Sequence, residues 1–159
     1  PLELLHMDLK GPTKFESING KKYIFLTVED FSRLTWVRFL HDKLETFTFL
    51  NHLWSLLVAD KRQEFGVISR IRSDHGIEFQ NSNFSTFYTL HGIKHEFSAP
   101  KTPQQNGVVE RKNRMVQEMA QVMLHSKNIP QRFWAKAVNT AVYVINHVYL
   151  KPGTKTTPY

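Results

Sequence analysis

The chain has 159 residues, 41% of them hydrophobic and 13% aromatic, and it has no cysteine. This composition fits one folded domain with a real core, and it excludes a disulfide framework or a thiolate zinc site. The formal charge is +7, and all of the excess lies in residues 101–159, where nine Lys/Arg face only Glu110 and Glu118.

A basic field on one part of a chain suits a polyanionic partner, nucleic acid above all. No apolar run reaches the ~18 residues of a membrane helix, so no membrane partner is expected. The start at Pro1 and the end at "KTTPY" read as a segment cut from a longer polypeptide, with residues 1–159 forming one domain.

In chain order, "LELLHMDLKGP" reads as a strand from Leu2 to Leu9, stopped by Gly11 and Pro12. "KKYIFLTVEDFS" and "RLTWVRFL" are β-branched and aromatic runs that predict two further antiparallel strands. Asp42 with Glu45 is a capping pattern for a helix whose Phe49, Leu50, Leu53, Trp54 and Leu57 recur at helical spacing. "VISRIRSDHG" is a strand ending at Asp74. A short helix with Phe84, Phe87 and Tyr88 on one side follows, and Gly92 is its stop.

"IKHEFSAP" predicts a last strand ended by Pro100, then "KTPQQNG" a polar loop, with Gly107 in a segment mobile enough to close on substrate. A long helix runs to about Lys127, with Met115, Met119 and Met123 as its core side. Pro130 opens a final helix buried along Phe133, Ala137, Ala141, Val144 and Val148. The order β-β-β-α-β-α-β-α-α predicts an α/β fold, one mixed sheet covered by helices.

Three carboxylates stand out. Asp8 and Asp74 lie at strand ends, and Glu110 opens the long helix inside "NGVVERKNR". At about 100° per residue, Asn106, Asn113, Arg114, Gln117 and Gln121 share the polar ridge of Glu110. Converging carboxylates would repel one another unless a cation neutralised them. Hard oxygen donors without cysteine favour Mg²⁺ or Mn²⁺, and a pair of such ions suits phosphodiester chemistry. His91 and His95 read as structural, because Gly92 separates them.

Asp74 and Glu110 have 35 residues between them. With Asp8 this resembles the D,D-35-E signature of retroviral and retrotransposon integrases. "HMDLKGP", "EDFSR", "RSDHGIEF", "HGIKHEFSAPKTPQQNGVVERKNR" and "FWAKAVNTAVYVIN" resemble, in order and spacing, the integrase catalytic core of copia-type LTR retrotransposons. The resemblance spans nearly the whole chain. It implies a ribonuclease-H-like fold with a five-stranded mixed sheet flanked by α-helices. It implies divalent-metal-dependent polynucleotidyl transfer, in which a DNA 3′-hydroxyl or water attacks a phosphodiester.

By motif, Asp8, Asp74 and Glu110 are then the catalytic metal ligands, with Mg²⁺ or Mn²⁺, two ions, as cofactor. Asn106, Arg111, Lys112, Asn113, Arg114 and Gln117 are the expected DNA contacts, to element ends and target DNA. Homo-oligomers and a nuclear location are implied as well, and the family's zinc-binding module would lie outside this segment. Two departures stand against the pattern: His75 replaces the usual Asn after the second acid, where it could orient Asp74, and Glu29 stands in "EDFSR" where the family has Asp. A ribonuclease-H-type nuclease on the same fold and a decayed, non-enzymatic nucleic-acid-binding remnant are the alternatives.

Overall fold

Seven residues, Leu4–Lys10, make the first strand, β1, and set the plan of the molecule. The computed structural model describes residues 3–59, 68–74, 76–98 and 103–159, with backbone alone over 103–106. In β1 every residue from Leu4 to Leu9 is buried, so both faces of the strand are covered. β2 (Tyr23–Glu29) and β3 (Thr35–Leu40) follow as successive antiparallel neighbours. After helix α1 (Glu45–Ala59), β4 (Arg70–Ser73) pairs in parallel with the other edge of β1. After α2 (Ser82–His91), β5 (Lys94–Phe97) extends the parallel part. α3 (Pro103–Ser126) and α4 (Trp134–His147) complete a five-stranded sheet of order β3-β2-β1-β4-β5. The element order expected from the sequence is the one observed.

The local signals act as their chemistry predicts. Gly11 sits at φ +134°, and a Cβ there would lie 2.7 Å from the Lys22 carbonyl oxygen, so the turn after β1 requires glycine. Asp42 Oδ1 accepts from the Leu44 N–H at 2.8 Å, and the Glu45 carboxylate accepts from His41 N–H at 3.4 Å. Together they satisfy backbone donors where α1 begins. Gly92 ends α2 in the left-handed region at φ 64°.

Each face of the sheet has its own core. Leu5, Met7, Leu9, Phe25 and Ile71 pack against Leu50 of α1 and Phe84, Phe87 and Tyr88 of α2. Ile24, Leu26 and Val28 pack against Val109, Val116, Ala120 and Leu124 of α3 and the Ala137–Ile145 side of α4.

Three expectations are corrected here. Of the expected polar loop "KTPQQNG", residues 101 and 102 lie outside the described residues, and residues 103–107 are helical, because α3 already begins at Pro103. Proline costs nothing there, since the first helical N–H groups have no intrahelical acceptor. Gly107 is therefore helical, and the Arg111 guanidinium lies over it, 3.2 Å from where a Cβ would be. The buried stripe of α3 is Val109, Asn113, Val116, Ala120 and Leu124, roughly 100° round the helix from the methionine row. Met115 is consequently 38% exposed, and Met119 and Met123 are only partly buried. In α4, Ala137 and Ala141 are buried as expected, whereas Val148 lies past the last turn and is 64% exposed.

Candidate functional site

Alternation along β1 turns Leu5, Met7 and Leu9 toward α1 and α2, which leaves His6 and Asp8 facing α3. Asp8 is buried, 2% exposed, in the strand where the antiparallel and parallel halves of the sheet meet. A buried carboxylate needs donors. Asn113 Nδ2 of α3 donates to Asp8 Oδ2 at 2.7 Å, and Lys10 Nζ stands 3.5 Å from the same oxygen. Asn113 is in turn held by Gln117, whose Nε2 donates to Asn113 Oδ1 at 2.9 Å.

Parallel pairing of β1 with β4 runs Leu4 to Arg70, Leu5 to Ile71 and His6 to Arg72. The last pair of that register is His6 with Arg72; Asp8 lies two residues further along β1, and Asp74 follows the last residue of β4. Asp74 closes its own turn, with Oδ1 accepting from the Gly76 N–H at 3.0 Å. Glu110 is exposed and lies one turn before Asn113 on α3. It lines an open groove of about 630 Å³ together with Lys10, Asn113, Arg114, Gln117 and Gln121.

Asp8 and Asp74 thus lie just past the paired stretch of neighbouring parallel strands, and Glu110 is on the wall of the groove that Asn113 and Lys10 also line. Among the described residues no three carboxylate, histidine or cysteine side chains are gathered closely enough to hold an ion between them. The donor chemistry still fits a hard divalent cation. Asp8 and Asp74 each commit one oxygen to a protein donor, which leaves anionic oxygen on each, and Glu110 is free to turn in solvent.

The expected DNA-facing residues separate into groups. Arg114 and Gln117 line the groove, and Arg111 is exposed. Asn113 is corrected: it is 1% exposed and turned inward, because the buried Asp8 needs its N–H. Lys112 is half-buried on another side of α3, and burial, with repulsion from Arg33, pushes its ammonium below the usual lysine range. The side chain of Asn106 and all of His75 lie outside the described residues.

Beside the site, His6 is 1% exposed and its Nε2 is 2.9 Å from Asp30 Oδ1. Burial outweighs Asp30 and lowers the imidazole below its ordinary range. Glu29 is buried too, its carboxylate accepting from the Phe31 and Ser32 N–H groups in the turn between β2 and β3. This carboxylate therefore has a structural role in the turn. His95 stacks on Tyr88 at 4.6 Å and meets Ser73 Oγ at 2.9 Å, the structural role expected of it. The partnership of Asn113 with Asp8 was missed in the sequence. Its signal was there: an Asn one turn after Glu110, and an Asp inside a strand otherwise rich in apolar residues.

Residues 1–103 match the family model of the integrase core domain, a span that takes in Asp8 and Asp74 and stops before Glu110. The chain is 39% identical over 145 residues to the Retrovirus-related Pol polyprotein from transposon TNT 1-94 of Nicotiana tabacum, covering 91% of this chain and 11% of that protein. It is 34% identical over 149 residues to the Retrovirus-related Pol polyprotein from transposon RE2 of Arabidopsis thaliana, covering 93% of this chain and 10% of that protein. The chain therefore spans about a tenth of the length of these curated relatives.

Among solved structures, a chain of the simian T-cell lymphotropic virus intasome superposes with a TM-score of 0.76 at 22% identity, covering 99% of this chain and 53% of that one. The HTLV-2 integrase catalytic core domain in complex with magnesium (trimeric form) gives 0.71 at 21% identity, covering 99% and 94%. Its dimeric form gives 0.69 at 23%. At these identities the likeness is one of fold, a ribonuclease-H-like mixed sheet flanked by helices.

Proposed function

The chain belongs to the integrase core domain family, as the core of a retrotransposon Pol polyprotein, and on that premise we propose that it joins the 3′ ends of copia-type element DNA to target DNA by divalent-metal-dependent polynucleotidyl transfer. The observation that supports this reading is the 2.7 Å hydrogen bond to the buried Asp8 of β1 from Asn113, which lines the same groove as Glu110, with β4 running parallel to β1 and ending one residue before Asp74. Asp8, Asp74 and Glu110 would hold Mg²⁺ or Mn²⁺, as two ions. Such ions activate an attacking hydroxyl and neutralise the leaving oxygen of a phosphodiester.

The chain's own residues prepare that chemistry. Asn113 and Lys10 fix one oxygen of Asp8. Glu110 would offer its carboxylate to a cation from the exposed side of α3, which is anchored from behind by Val109 and Val116. Arg114 and Arg111, exposed beside the groove, bind the DNA backbone without reading its sequence. Lys112 is half-buried, and Asn113 is engaged with Asp8. The reading extends to element ends and target DNA as substrates, acted on in the nucleus, and to a homo-oligomer, in line with the dimeric and trimeric forms of the HTLV-2 domain.

The test is disintegration of a branched DNA in Mn²⁺ by the wild-type chain, by Glu110→Gln and by Asp8→Asn. Loss of a metal ligand is expected to lower the rate at least ~100-fold, at or beyond the upper end for an outer partner of a ligand. Equal rates in all three would make the protein a non-enzymatic remnant. Cleavage confined to an RNA–DNA hybrid would make it a ribonuclease-H-type nuclease.

A further inference from the structure

We propose that Gln117 is a positioning residue for Asp8, acting through Asn113, and that it fixes which oxygen of the Asp8 carboxylate is left for a cation. The inference rests on the metal-site reading above. Two observations carry it. The chain Gln117 Nε2 to Asn113 Oδ1 at 2.9 Å, and Asn113 Nδ2 to Asp8 Oδ2 at 2.7 Å, runs in one direction from α3 into the sheet. Its middle member is 1% exposed, and the bond it gives to Asp8 is buried.

A side-chain amide has an oxygen end and a nitrogen end of nearly equal size, and its neighbours decide which faces where. Asp8 can accept only from the nitrogen end. Gln117 satisfies the oxygen end, one helical turn further on, so that Asn113 keeps both partners in a single rotamer. Each bond also polarises the next, which makes the Asn113 N–H a stronger donor to Asp8. Lys10 approaches the same Oδ2, while Oδ1 accepts from no donor among the described residues. One oxygen is held by the protein and the other is presented.

Without Gln117 the buried Oδ1 of Asn113 loses its donor. The amide then turns toward other N–H groups, and its grip on Asp8 loosens. Gln117 was first read as a DNA contact from its place on the polar ridge. It does line the groove, and one N–H of its amide is given to Asn113.

The experiment uses Gln117→Met, which keeps length, neutrality and helix propensity and removes the donor. Mn²⁺ is titrated into the DNA-free chain and the melting temperature followed. The half-saturating Mn²⁺ concentration is expected to rise ~3–10-fold, less than the 10–100-fold typical of a ligand's immediate partner. The Asn113 side-chain amide signal in a metal-free ¹⁵N–¹H spectrum should move and exchange faster. An unchanged Mn²⁺ midpoint with weakened DNA binding would make Gln117 a DNA contact and overturn the proposal. If the wild-type chain shows no Mn²⁺ response, the metal reading itself fails. The amide spectrum then decides alone, and an Asn113 signal unmoved by Gln117→Met overturns the relay.

Discussion

The two faces of the sheet are built from different materials. Toward α1 and α2 the core is aromatic: Phe25 meets Phe79 at 6.0 Å, Phe79 meets Phe84 at 5.8 Å, and Phe84 meets Phe47 edge-on at 5.3 Å. Toward α3 and α4 the core is mostly aliphatic, with Trp134 edge-on to Phe39 at 5.4 Å, and polar groups are set into it. His6, Asp8 and Asn113 are all nearly inaccessible there, and Asn146 of α4 exchanges two hydrogen bonds with the Thr35 backbone, at 3.0 and 2.8 Å. Large rings bury much area and keep a fixed geometry, so the first face supplies rigidity. The second face gives up some of that area to hold charged and amide groups in place. Strand β1 belongs to both, and its alternation is what allows one strand to brace the fold and carry the site.

The comparison is best broken from the aromatic side. Phe84→Ala should cost about 3–5 kcal/mol, because a fully buried ring is removed from a cluster that cannot collapse around the gap. Denaturant unfolding measures it. In the protein that remains folded, the Mn²⁺ midpoint should stay as in the wild type; a shifted midpoint would mean that the two faces are not separate in function.

A smaller effect is expected at Arg72 and Glu96, on the site's side of the sheet. Arg72 Nη2 donates to Glu96 Oε2 at 2.6 Å and Nε at 3.2 Å, and these bonds hold the Glu96 carboxyl below the usual carboxylate range. A folded-state value below the unfolded one gives stability that is present above the ordinary range and is lost as pH falls through the folded value. Glu96→Gln should therefore cost ~1–2 kcal/mol at neutral pH, and the gap in melting temperature should close in acid. A gap that is constant with pH would assign the pair no electrostatic role.

The smallest effect belongs to Tyr88. Its hydroxyl is buried with no hydrogen-bond partner among the described residues, and burial pushes its pKa above the ordinary tyrosine value. Tyr88→Phe should range from no change to a gain of ~1 kcal/mol, since an unsatisfied polar atom is removed. A loss would reveal a partner for the hydroxyl.

Much of this was legible in the chain itself. The period of "LLHMDLK" and of "YIFLTVE" marked strands, Gly92 marked a helix end, and the charge of residues 101–159 marked the basic helix and its flanks. Glu110 was rightly read as pointing to solvent. What failed was the rotation of α3. Helical spacing put Met115, Met119 and Met123 on one stripe, but spacing cannot say which of two adjacent stripes faces the sheet. The helix start was misread as well, because "PQQNG" has the composition of a turn and only the chain's path shows it wound as helix.

The sequence by itself determined the kinds and order of the elements, the family, and the candidate carboxylates, because these depend on local spacing and residue chemistry. Tertiary structure decided which groups answer one another. A buried carboxylate on a central strand requires a donor from whatever packs over it. That need turned Asn113 inward, carried Gln117 with it, and left Arg114 and Glu110 facing the groove.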